Sequence, residues 1–482
     1  MKKGLKRVLV LCLAVVTVFS VTACKNKKTV SDSGEYVKLS WYLPGDPQED
    51  TAQVVEAMNA IIREKIGAEV EITFLDVAAY KQRMNMMMAS RKEFDICHTG
   101  YALPYIETVN NGGLMEISEV IEKAAPDLWE VLPGYAKHAV EYNGEIYGIP
   151  NIQIYAKTVG AKIRKDLAEK YNLDASKIHK IEDLEPFWAQ VRDNEKEYYP
   201  LRVGVGLDEL DYKSISPIGA YAYIDNQTGE IFNYLESKWN KNRIDMIHDW
   251  YQKGYIRADI ATVGDDSSEV NAGKYACEIG VYKPGVAEET SAMRGIDYIA
   301  IQLTEPVMEN SMPSATIASV SACSKNPEKA VELLYLMNTD KKLYNLLCFG
   351  IEGKHYKLLE DNLHVRPDTK SGYYVNCSWK FGNTANAYLV EGEPSDKWEQ
   401  TAKLNEEALQ VPAYGFRFNN QSVGTEMAQL STIQKEFTGL YQGVLDPKTT
   451  LPQSIERLRG AGMDVVYEEE VRQFKKWQKL KK

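Results

Sequence analysis

Residues capable of covalent chemistry are plentiful in this 482-residue chain, but none falls into a spacing that would make them work together. No HExxH, GxSxG, SxxK, GxxxxGKS/T or GxGxxG pattern occurs, so the local signatures of metalloproteases, serine hydrolases and nucleotide binders are missing. The six His are scattered singly. Two carboxylates that act as a pair lie far apart in sequence and leave no local spacing, so a glycan-cleaving reading stays open. Beyond residue 24, Cys97, Cys277, Cys323, Cys348 and Cys377 are odd in number and form no CxxC. They read as small buried hydrophobes rather than a disulfide framework or zinc site, and neither a metal nor a cofactor is expected. What the chain offers instead is rings with a polar tip, 30 Tyr against 11 Phe. Aromatic faces packed on C–H faces, with planar polar groups for hydroxyls, suit a neutral, hydroxyl-rich ligand, although Tyr equally suits half-buried strands.

Such residues need elements to hold them. Residues 37–42 alternate as a strand and break at Leu43-Pro44-Gly45-Asp46-Pro47. Residues 52–66 carry Val55, Met58, Ile61, Ile62 and Ile66 at helical spacing, with Gly67 where a C-cap is expected. Residues 69–74 read as a second strand, completing the opening β-α-β unit of an α/β lobe. Ligands of open α/β sheets sit at the carboxyl ends of the strands, which would turn Trp41 and the loop through Asp46 towards a cleft. The Met-rich helix over 80–90 reads as core, and the strand over 94–98 leads into a loop ending at Tyr101. Asn143-Gly144 between β-formers signals a type I′ hairpin turn, and Pro150 bars a helix at Ile149.

The length calls for more than one lobe. A net charge of −11, more acidic still without Lys2, Lys3, Lys6 and Arg7, argues against a nucleic-acid partner, which needs a concentrated basic face. Those four cations precede an apolar run over 8–21, too short to cross a bilayer but suited to a signal peptide. The run ends at Val21-Thr22-Ala23-Cys24, which resembles a lipoprotein lipobox with Val where Leu is usual; an ordinary secretory signal with an incidental Cys is the alternative. The Lys-rich segment to Glu35 would be a tether.

Several motifs, in order, resemble those of extracellular solute-binding proteins of bacterial ABC importers, the carbohydrate-type family. Residues 143–150 (NGEIYGIP) resemble the family's "dGkiYgiP" step into the hinge. Residues 111–117 upstream of it, and 164–173, 271–282 and 324–330 downstream, resemble other family segments. Ile351-Glu352-Gly353-Lys354-His355-Tyr356, Tyr414-Gly415-Phe416-Arg417-Phe418, Gly443–Pro447 and Leu458–Met463 resemble a lipoprotein subgroup with a C-terminal domain of unknown function.

The resemblance implies an α/β, two-lobed periplasmic-binding-protein-like fold of the class II type, with a hinge and an interlobe cleft. Expected boundaries are a signal peptide over 1–23, a lipidated Cys24 with tether over 24–36, lobe 1 over 37–150 and 310–350, and lobe 2 over 151–309 and 351–482. The subgroup domain would occupy about 410–482. Hinge crossings are expected near 151, 310 and 350. It further implies a monomeric binder, not an enzyme, anchored outside the bacterial cell membrane by lipid alone, capturing an oligosaccharide for the transmembrane subunits of a permease. Cleft candidates are Trp41, Asp46, Tyr101, Asn151, Gln153, Tyr155, Tyr221, Tyr282 and Trp379, with Tyr282 where the family commonly sets an aromatic against sugar. Each ring has core packing as its alternative. A peptide or other small solute on the same fold, or a secreted glycan-active enzyme, are the competing functions.

Overall fold

The computed structural model describes residues 36–310, 312–375 and 377–480, so the expected signal peptide, tether and Cys24 lie outside the described residues. Two sheets with separate cores carry the fold. The first has five strands in the order Ala68–Leu75, Val37–Pro44, Ile96–Gly100, Thr316–Val320 and Gly148–Pro150. Its first three strands are parallel, and Thr316–Val320 runs against both of its neighbours. Leu39, Trp41 and Leu43 share the inward face of Val37–Pro44, as the two-residue strand period requires. The helix Thr51–Ile66 buries Val54, Met58, Asn59 and Ile62 and closes at Gly67, whose φ of 64° satisfies a left-handed cap. Its inward stripe thus starts at Val54 rather than Val55. Met84 and Met87 of the helix Val77–Ala89 are core residues.

The hairpin before Gly148–Pro150 pairs Glu141–Tyr142 with Glu145–Ile146. Asn143 and Gly144 have φ of 54° and 86°, the two positive values a type I′ turn demands.

The second sheet has four strands in the order Tyr298–Gln302, Val159–Arg164, Tyr275–Val281 and Tyr199–Val203. Its core includes Ile163, Trp188, Leu201, Trp250 and Ile279, with Trp188 and Trp250 edge to face at 5.1 Å.

Between the sheets the chain forms a small junction. Ala156–Lys157, Val307–Met308 and Leu409–Gln410 pair as a three-stranded sheet, so the third crossing is at 409–410 and not near 350. Residues 351–408, expected with lobe 2, contribute Tyr356, Val365, Tyr373 and Phe381 to the first sheet's core. The cause is a long-range tie just after Gly350. His355 is buried, its Nδ1 accepts the N–H of Ile351 at 2.8 Å and its Nε2 meets Asp50 Oδ2 at 3.1 Å. Lys354 reaches the same carboxylate at 2.7 Å. These contacts return the chain to the start of the first long helix instead of across the junction.

The C-terminal helices Gly424–Glu436, Pro447–Gly460 and Met463–Leu480 pack beside a third sheet, Ile215–Pro217, Ala222–Asp225 and Ile231–Asn233. The architecture is two-lobed α/β, with the C-terminal helices on an extension of the second lobe.

Candidate ligand site

At the carboxyl ends of the first sheet, three side chains from two distant parts of the chain meet. Gly100 turns the chain at φ 126°, with the Ala315 carbonyl where a Cβ would stand, and sends Tyr101 outward, 45% exposed. The Tyr101 ring lies 5.6 Å from that of half-buried Trp379. Lys380 Nζ sits 5.8 Å from the first ring and 5.0 Å from the second, and donates to the Pro44 carbonyl at 3.0 Å. The ammonium is therefore held by a strand end and two aromatic faces, a cation–π arrangement that fixes both rings. Asp46 is exposed on the loop that follows Pro44.

Behind Tyr101, His98 packs edge-on at 5.2 Å. It is buried, and neither ring nitrogen has a partner among the described residues. Burial, with the Lys380 charge adding to it, pushes its pKa down to about 3, so His98 is a neutral aromatic support rather than an acid or base.

The second lobe supplies half-buried Tyr282 at the end of Tyr275–Val281. Its N–H bonds the Thr158 carbonyl at 2.8 Å, and its side chain covers Gly160, where a Cβ would stand 2.9 Å from it. The following Lys283 pairs with Glu289 at 2.6 Å. Glu289 also meets Lys397 at 3.6 Å, and Lys397 is tied to Glu393 at 2.6 Å. Burial opposes ionisation of Glu289, but the two cations outweigh it and hold its pKa at about 2. A crevice of about 60 Å³ is lined by Gln153, Trp379 and Lys397 together with Lys283 and Glu289 of the second lobe. Both lobes thus contribute walls to one narrow site.

Of the remaining candidates only Gln153 lines this crevice. Trp41 is 1% exposed, in the first core, because strand parity puts it beside Leu39 and Leu43. Tyr221 is buried among the C-terminal helices, its hydroxyl accepting from Gln434 at 3.2 Å. Asn151, Gln153 and Tyr155 cluster at the first crossing but are buried and bind protein. Asn151 Nδ2 donates to the Lys380 carbonyl at 2.8 Å, Gln153 Nε2 to Thr316 Oγ1 at 3.2 Å, and Tyr155 OH to the Asn151 carbonyl at 3.1 Å. Lys380 and the Lys283–Glu289–Lys397 chain escaped the sequence reading, since a lone Lys beside Trp carries the signal of an ordinary solvated residue.

A second and broader concavity, about 1410 Å³, lies between the Asn143-Gly144 hairpin and the last helix. Tyr142, Tyr414, Phe416 and Trp477 line it. It is away from the strand ends that place ligands in α/β sheets.

Comparison with known proteins follows the same lines. Residues 412–479 match a family described as a domain of unknown function, DUF3502, over the stretch of the C-terminal motifs. A protein of Streptococcus pneumoniae serotype 4 (strain ATCC BAA-334 / TIGR4), named carbohydrate ABC transporter substrate-binding protein, is 28% identical over 468 residues, 95% of this chain and 94% of the relative. The crystal structure of N-glycan transport solute binding protein (NgtS) from Streptococcus pneumoniae matches with a TM-score of 0.82 at 25% identity, covering 92% of this chain and 100% of that one. NgtS in complex with Man5GlcNAc matches at 0.74 and 26%, covering 92% and 99%. Alginate-binding protein AlgQ2 without calcium ion, 14% identical with a TM-score of 0.61 over 94% of this chain and 100% of that one, shares the fold.

Proposed function

We propose that this chain, a homologue of the carbohydrate substrate-binding proteins of ABC importers, captures an oligosaccharide between its lobes and delivers it to a membrane permease. The observation that carries the reading is the Tyr101–Trp379 ring pair, braced by buried Lys380, at the carboxyl ends of the first sheet. Rings fixed in this way offer flat apolar faces to the C–H face of a sugar at little entropic cost. The Lys283–Glu289–Lys397 chain supplies rigid donors and acceptors beside Trp379. The complexes of NgtS with Man1GlcNAc and Man5GlcNAc support an oligosaccharide rather than a peptide.

In this reading the lobes rotate about the three strands of the junction. Ligand favours the closed form because only that form lets Trp379 and Tyr282 act on it together. The permease reads the closed form. The protein is a monomeric binder, not an enzyme, exported by the N-terminal segment and held at the outer face of the membrane by lipid on Cys24.

The test is calorimetric titration of the protein lacking residues 1–24 with Man5GlcNAc and a panel of other oligosaccharides, followed by analysis of each mixture for breakdown products. One glycan class should bind and remain intact, and Trp379→Ala should weaken it at least tenfold while Trp477→Ala leaves it unchanged. Cleaved glycan would make the protein an enzyme. Loss in Trp477→Ala alone would move the site to the broad groove, and binding only of peptides would overturn the substrate class.

A further inference from the structure

The second lobe holds a cavity that the interlobe reading does not use. It measures about 400 Å³, at the small end of the range of about 300–1,000 Å³ typical of ligand pockets. One wall is the strand Tyr199–Val203 and the loop after it, a second is the loop around Val263 and Gly264, and a third is Tyr441 and Gln442 from the C-terminal domain. None of Asp46, Tyr101, Tyr282 or Trp379 lines it.

Three arginines face this cavity, and each already holds a carboxylate in a two-pronged grip. Arg202 bonds Asp266 at 2.7 and 2.9 Å, Arg243 bonds Asp211 at 2.7 and 2.6 Å, and Arg257 bonds Asp259 at 2.6 and 2.8 Å. The Tyr275 hydroxyl links two of these pairs, accepting from Arg257 at 3.1 Å and donating to Asp266 at 3.0 Å. Asp208 adds a further acceptor, held by the Tyr212 and Tyr223 hydroxyls at 2.7 Å each. A phosphate or carboxylate ligand would need an unengaged guanidinium fork, and these forks are engaged. The walls instead present fixed donors and acceptors, Asp208 among them bonded by tyrosine hydroxyls rather than by a cation, and the rings of Tyr234 and Tyr441 also line the cavity.

From this lining we infer that the cavity is a second binding site, taking a single neutral sugar unit. Paired charges remain good hydrogen-bonding groups for hydroxyls without demanding a counter-charge, and the Tyr faces suit C–H surfaces. The site gives the C-terminal domain a role, since Tyr441 and Gln442 close it. It stands apart from the interlobe site, because a ligand there meets a different set of residues.

Gly264 permits a direct test. It lies on the rim, and nothing stands within 4 Å of where its Cβ would be, so a bulky side chain enters open space without backbone strain. Free mannose, glucose and N-acetylglucosamine are titrated by saturation-transfer NMR against the protein lacking residues 1–24, its Trp379→Ala form, and the Gly264→Phe and Tyr441→Ala forms, with folding checked by thermal melting. At least one monosaccharide should bind the parent and the Trp379→Ala form equally, and bind at least tenfold more weakly to both Gly264→Phe and Tyr441→Ala. No monosaccharide binding, or binding lost in Trp379→Ala but retained in the two pocket variants, would overturn the proposal. Failure of the interlobe reading shows separately, as oligosaccharide binding that ignores Trp379→Ala.

Discussion

Asn405 clasps the first crossing segment by accepting the backbone N–H of Tyr155 on its Oδ1 at 2.7 Å. The same oxygen takes the N–H of Ala156 at 2.9 Å, while Nδ2 donates to the Gln153 carbonyl at 2.8 Å and to the Tyr135 hydroxyl at 3.1 Å. One buried amide thereby uses both ends and joins the helix Lys397–Glu407 to the entrance of the junction.

Asn405→Ala should therefore destabilise the protein well beyond an ordinary surface change. It strands two buried N–H groups and one carbonyl, and a buried group left unsatisfied costs about 1–3 kcal/mol. Urea unfolding should report a loss of about 3 kcal/mol. Asn405→Asp keeps the acceptor but removes both donors and buries a charge, so it should be no better than Ala. Wild-type stability in either variant would refute the clasp.

Lys380→Met tests the aromatic platform. The substitution keeps the apolar stem but removes the charge that lies against Tyr101 and Trp379 and binds the Pro44 carbonyl. A partly desolvated cation–π contact is worth about 0.5–2 kcal/mol, so oligosaccharide affinity should fall by roughly tenfold, which is about 1.4 kcal/mol. Calorimetry reads the change, and an unaltered dissociation constant would mean the rings keep their places without Lys380.

Local chemistry was the legible part of this chain. Asn143-Gly144 had to take two positive φ values, Gly67 had to end a helix, and the alternation over 37–42 had to make a strand. The same alternation already argues against Trp41 as a cleft residue, since position 41 shares parity with Leu39 and Leu43. What sequence hides is contact between distant residues. Nothing near 350 announces that His355 and Lys354 will find Asp50, so the third crossing was expected about sixty residues too early. Asn151 and Gln153 are polar beside a crossing, which suits ligand contact and internal satisfaction equally. The structure spends them on Lys380 and Thr316. Tyr101 and Trp379 were visible as rings, but their meeting over Lys380 was not.

In the second lobe, Glu278 and Arg294 form an ion pair with both side chains 3% exposed. Tyr298 OH accepts from Arg294 at 3.0 Å, and Lys162 approaches Glu278 at 3.8 Å. Removing one partner of a buried pair leaves the other charge uncompensated, at about 3–5 kcal/mol. Arg294→Leu should lose that much in urea unfolding. The double variant Glu278→Leu with Arg294→Leu should recover a large part of it, and failure to recover would show that packing, not charge, is what the single change damages.

The last helix is set by Glu470, whose carboxylate accepts the N–H groups of Ala220, Tyr221 and Ala222 at 2.6, 3.1 and 2.7 Å. Gly219 beside it leaves no room for a Cβ, which would stand 2.2 Å from the carboxyl carbon. Burial pushes the pKa of Glu470 up from 4.5 to about 7, with the three N–H groups pulling against it. A folded-state pKa above the unfolded value means that the folded form holds the proton more tightly. The contribution is therefore complete below about pH 4.5 and is lost as pH rises towards 7, a difference of at most about 3 kcal/mol at 1.36 kcal/mol per unit. Hydrogen exchange of the helix Met463–Leu480 should speed up between pH 5 and 8 after correction for intrinsic rates. Glu470→Gln, which cannot ionise, should flatten that dependence while leaving the helix docked through Phe474 and Trp477. An identical pH profile in the variant would assign the sensitivity to another group.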